Sequence, residues 1–219
     1  MIAELKGAET NTAEMQDGHR AEEKGIALSE ILARPLGGLV SGTLVESDGG
    51  WCPIEEIRPG MGVMTLDGGF REPHEIRRCE IPAHANAAHG MLHVPPGALD
   101  NCSEVKLHDD QLVMIEHPVI ESYTGEPMGL FEARMLEGFR GIRRVHETCR
   151  IATYGLVFDD EEIVYANSGI LMHCPGKAGG GDGFFQRLGR VQAGALLKRI
   201  GEMDEEARQG GFGAWPLVA

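Results

Sequence analysis

The stretch Trp51-Cys52-Pro53-Ile54-Glu55-Glu56-Ile57-Arg58-Pro59-Gly60, followed by Val63-Met64-Thr65-Leu66-Asp67, decides the fold of this chain. Trp51 to Ile54 is short and β-prone, Arg58-Pro59-Gly60 is a turn with Pro and Gly in their usual order, and Val63 to Leu66 is a further strand closed by Asp67-Gly68-Gly69. Upstream, Thr43-Leu44-Val45-Glu46 is a strand and Ser47-Asp48-Gly49-Gly50 a turn cluster, so residues 43–69 predict a β-meander. The same style continues, with strands predicted at Glu75 to Ile81, Met91 to Val94 and Leu112 to Ile120. A helical turn is expected around Leu130 to Leu136, then a hairpin of Tyr154 to Phe158 and Glu162 to Ala166 around Asp159-Asp160. The 31 glycines fit many short elements better than a few long helices.

Both ends differ in character. Residues 1–37 are polar and acidic, with a short helix candidate marked by Ile26, Leu28, Ile31 and Leu32. The β region ends at Cys174-Pro175-Gly176, and Gly179 to Gly183 reads as a linker. Beyond it Leu188, Val191, Ala195, Leu196, Ile200 and Met203 recur near the helical period, predicting an amphipathic helix over about 185–208. The expected organisation is an N-terminal arm (1–37), a β domain (38–176), and a linker, helix and apolar tail (177–219). The helix stripe and Trp215-Pro216-Leu217-Val218 are the expected surfaces for a protein partner or a second copy of the chain, or else a cap on the β domain itself.

Composition excludes several classes. With 20 Lys plus Arg against 34 Asp plus Glu, the formal net charge is −14, which repels phosphate backbones; Arg77-Arg78 and the Arg140 to Arg150 stretch are flanked by acids. No nucleic-acid partner is expected. Five widely spaced cysteines, with no C-x-x-C pair, argue against a disulfide framework. No stretch is long and apolar enough to span a membrane, and Met1 to Gly25 shows no classical signal peptide. The chain reads as cytoplasmic, or as exported without such a leader.

In order, these segments resemble the Hint (Hedgehog/intein) domain family in its bacterial stand-alone form. Gly42-Thr43-Leu44-Val45 resembles the strand after the family's opening nucleophile, and Trp51 to Gly60 with Val63 to Asp67 is similar to its W-x-P-V-E-x-L-x-P-G-D…V-x-T-x-D stretch. Pro95-Pro96-Gly97-Ala98-Leu99 and Leu112 to His117 resemble the segment ending in T-x-x-H or S-x-x-H, and Leu156 to Ala166 resembles a late hairpin. The resemblance covers about 38 to 176 and implies a compact all-β module, with its termini close together, that attacks its own backbone through an opening Cys or Ser.

Three departures from the pattern stand out. Counting back from Gly42-Thr43 places the nucleophile position on Gly38, which has no side chain. The Thr or Ser of T-x-x-H falls on Met114, and a His common in the late hairpin falls on Gly155. His117 alone remains, as a proton donor to the departing amide or as a structural histidine; the lack of a nucleophile favours the second. Ser41 is a candidate displaced nucleophile or a turn residue, and Cys52 a buried strand residue. His84, His89 and His93, with His74 and Cys79 nearby, form the best metal-ligand cluster, but only His89 and His93 have a ligand-like spacing. His173-Cys174 is weaker, and no metal or cofactor is expected. Gly176-Lys177 is followed by Ala178, so it lacks the Walker pattern, and a linker is the better reading. The sequence thus points to a Hint-type module that no longer cleaves, acting as a scaffold or binding module. The alternatives are an active self-processing domain that uses Ser41 or another substitute nucleophile, and a metal-dependent binding protein or hydrolase built around the His84–His93 loop.

Overall fold

The computed structural model describes residues 38–82, 90–177 and 184–209. The arm with its Ile26 to Leu32 helix candidate, His84, His89, the Gly179–Gly183 linker and the Trp215–Val218 tail lie outside these residues. Along the chain run β1 (Leu39–Val40), β2 (Leu44–Ser47), β3 (Gly50–Pro53), a 3-10 turn (Ile54–Glu56), β4 (Val63–Thr65), β5 (Gly69–Arg71) and β6 (Glu75–Ile81). Next come β7 (Met91–Val94), β8 (Val105–His108), β9 (Leu112–Glu116), helix α1 (Pro118–Thr124), β10 (Met128–Glu132) and 3-10 turns at Ala133–Leu136 and Phe139–Gly141. β11 (Arg143–Val145), β12 (Ile151–Val157), β13 (Glu162–Ala166), β14 (Ile170–Cys174) and helix α2 (Arg190–Gln209) complete the order.

The strands form two antiparallel sheets. The first runs β11-β7-β8-β1-β12-β6; the second runs β10-β9-β14-β13-β2-β4-β5, with β3 added on β2. The fold is therefore mainly β, as the turn-rich sequence predicts. In the opening meander Gly60, with φ +90°, supplies the left-handed conformation that the Pro59-Gly60 turn requires. One core fills the space between the sheets: Leu39, Leu92 and Leu107 from the first meet Val45, Val113, Phe131 and Met172 from the second. A hub ties the layers together. The buried Asn167 carboxamide accepts from the Leu44 N–H at 3.1 Å and donates to Ser103 Oγ at 2.9 Å. Next to it, a Cβ on Gly169 would stand 1.9 Å from the Asp100 carbonyl oxygen, a gap only glycine fits.

Four expectations need correction. The strand begun at Leu112 stops at Glu116, because Pro118 has no N–H for a ladder and opens α1 at its first position. Residues 128–132 are a strand before a 3-10 turn, where a helical turn was expected around Leu130 to Leu136; pairing with β9 overrides the apparent spacing. Tyr154 to Phe158 and Glu162 to Ala166 are not a hairpin. β12 pairs with β6 and β1 in the first sheet, and β13 pairs with β14, β2 and β4 in the second.

The fourth correction concerns the C-terminal helix. It begins at Arg190 where a start near 185 was expected, and much of its apolar stripe closes the domain's own core, one of the two roles the sequence left open. Leu188, Ala193, Leu196, Leu197 and Ile200 are buried there, and Arg140 clamps Asp204 through two hydrogen bonds, 2.7 and 3.1 Å long. Val191 points away and is exposed. Among the described residues, no helix is long and apolar enough to cross a membrane.

Candidate functional site

β1 is two residues long, and Gly38 stands at its entrance. Val40 pairs with Thr153 and Leu39 with Tyr154 of β12. The two positions where the sequence pattern expects chemistry and finds glycine therefore each lie one residue beyond the last β1–β12 pair, Leu39 and Tyr154. A Cβ built on Gly38 would lie 3.3 Å from Thr153 Cβ, a contact a side chain could make after small adjustments.

The Gly38 N–H donates to Gln111 Oε1 at 2.9 Å, in a buried hydrogen bond. The Gln111 Nε2 donates to the Leu112 and His173 carbonyls at 2.8 and 3.1 Å, so the carboxamide is oriented from both ends. Gln111 closes the turn between β8 and β9, which is pinned on several sides. Its N–H bonds His108 O at 2.9 Å, its carbonyl accepts from Ala133, and the Arg144 Nη1 reaches both oxygens of Asp109 at 2.9 Å. Gly90 N–H adds a 3.0 Å bond to Asp109. This is a rigid seat for one polar side chain against the backbone amide of Gly38.

Sequence reasoning missed Gln111. His108 and Gln111 are three residues apart, as in T-x-x-H, and the spacing was threaded instead through Met114 and His117. The signal available was Asp109-Asp110, a turn between the alternating Val105 to His108 and the apolar Leu112 to Ile115.

The other predicted residues lie elsewhere. Met114 is three strand residues from Gln111, roughly 10 Å along β9, buried with Leu130 and Ile163. His117 is about twice as far and caps α1, its Nδ1 accepting from the Val119 N–H at 3.1 Å. Ser41 donates to Glu55 Oε1 at 2.9 Å, and Glu55 Oε2 accepts from the Gly42 N–H at 2.8 Å. Burial works to raise the Glu55 carboxyl, but the Gly42 and Ser41 hydrogen bonds outweigh it and hold the group below its ordinary value. Glu55 thus fastens the β1–β2 turn at Gly42, which has φ +87°.

Among the described residues, no three His, Cys, Asp or Glu side chains gather as a metal site would require. His93 bonds Glu104 at 2.9 Å, and His173 bonds Glu161 at 2.9 Å. His74 is exposed, and Cys79 is half-buried in β6. Cys174 is fully buried, which pushes its thiol up beyond the range in which a thiolate forms. The Lys177 ammonium, considered for a phosphate cradle, pairs with Asp159 at 2.7 Å. Cys52 is half-buried in β3, with Sγ 3.7 Å from Ser47 Oγ.

His117 gives a pH-dependent prediction. Burial is the largest cause lowering its pKa below 6.5; the Arg140 charge adds to this, and Asp204 opposes it. The cap also requires an unprotonated Nδ1. With the folded pKa below the unfolded one, the stabilisation is complete above about pH 6.5 and is lost as pH falls toward the folded pKa. His117→Ala should cost about 1 kcal/mol at pH 8, and less at pH 5. His117→Asn, a capping residue that does not titrate, should retain most of the stability and flatten its pH dependence between 5 and 7. A melting temperature for His117→Asn with the wild-type pH slope would show that another group sets the dependence.

The profile of the family described as "Hint domain" matches residues 38–171, more than half of the chain, and the chain belongs to that family. Among solved structures it is similar to the bacterial intein-like domain from Clostridium thermocellum, at 14% identity and a TM-score of 0.44, over 64% of this chain and 99% of that one. It is also similar to a splice-inactive, GSH-linked variant of the AceL NrdHF class 3 split intein, at 14% identity and a TM-score of 0.38, over 62% of this chain and 95% of that one. No curated protein sequence matches it.

Proposed function

We propose that this Hint domain no longer cleaves or splices and serves as a rigid, protein-binding scaffold. The observation carrying this reading is the Gly38 amide held by Gln111. In an acyl shift, a side-chain sulfur or oxygen at position 38 bonds to the preceding carbonyl carbon, the C–N bond breaks, and the departing nitrogen takes a proton. Gly38 has no atom to attack with. The carboxamide oxygen of Gln111 only accepts a hydrogen bond, and a carboxamide does not donate a proton near neutral pH. Nucleophile and proton donor are both missing at the same amide.

Purified protein incubated for a day with dithiothreitol or hydroxylamine should keep its full mass. A fragment beginning at residue 38 would overturn the reading. The position of Gln111 has its own test, because general acid catalysis contributes about 10²–10⁴-fold. In a Gly38→Cys background, Gln111→His should raise thiol-dependent cleavage at least about tenfold. Equal cleavage with Gln and His would remove Gln111 from the proton-donor position.

A second reading, self-cleavage at Val40–Ser41, rests on the 2.9 Å contact between the Ser41 hydroxyl and the Glu55 carboxylate. That carboxylate also accepts the Gly42 N–H, and the Val40 carbonyl accepts from Thr43 at 3.0 Å, so both groups are engaged in the turn. A fragment beginning at Ser41, lost in Ser41→Ala, would favour this reading.

A further inference from the structure

Antiparallel sheets commonly alternate apolar and polar side chains, one face to the core and one to water. Several strands of the second sheet break that alternation: Leu112-Val113-Met114-Ile115, Leu130-Phe131, Ile163-Val164 and Ile170-Leu171-Met172. Val113, Phe131, Val164 and Met172 enter the main core, while Met114, Leu130 and Ile163 form a separate cluster on the opposite face. Leu66, Leu112, Met128 and Leu171 continue this second cluster and are only partly buried. Among the described residues, the side chain covering it from another segment is Phe185.

A groove of about 1000 Å³ opens over this face, between the β4–β5 turn and the α1–β10 turn. Met114, Leu66 and Met128 are among its apolar residues. Phe185 stands edge-on to Phe184 at 5.1 Å, and Phe184 is 84% exposed at the groove. Four carboxylates and one guanidinium line it. Glu161 is occupied by the Phe185 N–H and His173. Asp67, Glu126 and Glu162 make no ion pair among the described residues, although the rest of the surface carries many. An apolar floor, an exposed aromatic wall and unpaired acids call for an occupant with large apolar groups and positive charge.

We propose that this groove docks a peptide segment of a partner protein in which large apolar side chains alternate with Lys or Arg. The apolar side chains would complete the second cluster against Phe184 and Phe185, and the cations would meet Asp67, Glu126 and Glu162. The groove uses none of the residues around Gly38. The proposal therefore names the partner class for the binding role, while self-cleavage at Gly38 is decided separately by intact mass.

The test uses the full chain and two fluorescein-labelled 12-residue probes, one alternating Leu and Lys, the other Leu and Glu, read by fluorescence anisotropy. The Leu/Lys probe should bind at least about tenfold more tightly than the Leu/Glu probe, and more weakly as salt rises. Glu126→Lys with Glu162→Lys should weaken its binding at least about tenfold, and Phe184→Ala should weaken it several-fold. Glu56→Lys with Glu205→Lys changes net charge equally outside the groove and should leave binding within about twofold. Melting temperatures confirm that each variant is folded. The proposal fails if neither probe binds, if the Leu/Glu probe binds equally, or if the outside reversal weakens binding as much as the groove reversal.

Discussion

A chain ending at Gly183 should fail to fold, because α2 supplies one wall of the main core. Leu188, just before the helix, and Leu196, Leu197 and Ile200 within it are between 0 and 7% exposed and belong to the main core, where α2 lies against α1 and the two 3-10 turns. Burying an aliphatic side chain of this size contributes about 1.5–3 kcal/mol, so these four contribute about 6–12 kcal/mol. The whole stability of a domain is typically about 5–15 kcal/mol. The truncation also removes the Arg140–Asp204 clamp and the segment at Arg187, which bridges to Leu130 beside β10. Circular dichroism should show no cooperative melt, and the truncated chain should aggregate or bind hydrophobic dyes. A truncated domain melting within a few degrees of the full chain would mean that the helix lies on the core without supporting it. The milder Leu196→Ala should lower stability by about 2–5 kcal/mol in an otherwise complete chain.

What could be read from the sequence follows the range of the interactions. Turns set by Ser47-Asp48-Gly49-Gly50 and Pro59-Gly60 are local, and β2, β3 and β4 beside them were legible to within a residue or two, whereas β5, Gly69–Arg71, was not. The helical stripe of α2 was legible for the same reason, since a period is written within the segment itself. Which face that stripe would find was not: the elements it lies against, α1 and the 3-10 turns at Ala133–Leu136 and Phe139–Gly141, lie about 50 or more residues upstream. Likewise β12 looked like the hairpin partner of β13, but Ile151 to Val157 is fully paired, residue for residue, with Glu75 to Ile81. A strand filled by a distant partner is not available to its neighbour.

The candidate site divides the same way. Gly38 and Gly155 stand out by their places in a linear pattern, and each lies one residue beyond the last β1–β12 pair, Leu39 and Tyr154. Gln111 was not legible because a carboxamide does not titrate and because His117 offers a histidine at a fitting spacing. Pro118 explains why His117 was misleading. It ends β9 and turns the chain into α1, leaving the imidazole to cap a helix about 20 Å along the chain from Gln111, whose side chain holds the Gly38 amide.

Replacing Gln111 should therefore harm the fold far more than a lost surface glutamine would. The residue is 2% exposed, and its side chain satisfies the Gly38 N–H and the Leu112 and His173 carbonyls. Gln111→Leu keeps much of the volume but leaves a buried donor and two acceptors without these partners. An unsatisfied buried polar group costs about 1–3 kcal/mol. The expected loss is about 2–5 kcal/mol, read as a lower denaturation midpoint with an unchanged slope. Gln111→Glu separates shape from hydrogen bonding: its carboxylate can still accept from Gly38 but faces the His173 carbonyl without a donor. It should be destabilised at pH 8 and partly rescued toward pH 5, where a protonated carboxyl can donate to that carbonyl. If Gln111→Leu melts like the wild type, the Gly38 amide is held by its strand alone, and the carboxamide has no structural hold on the site.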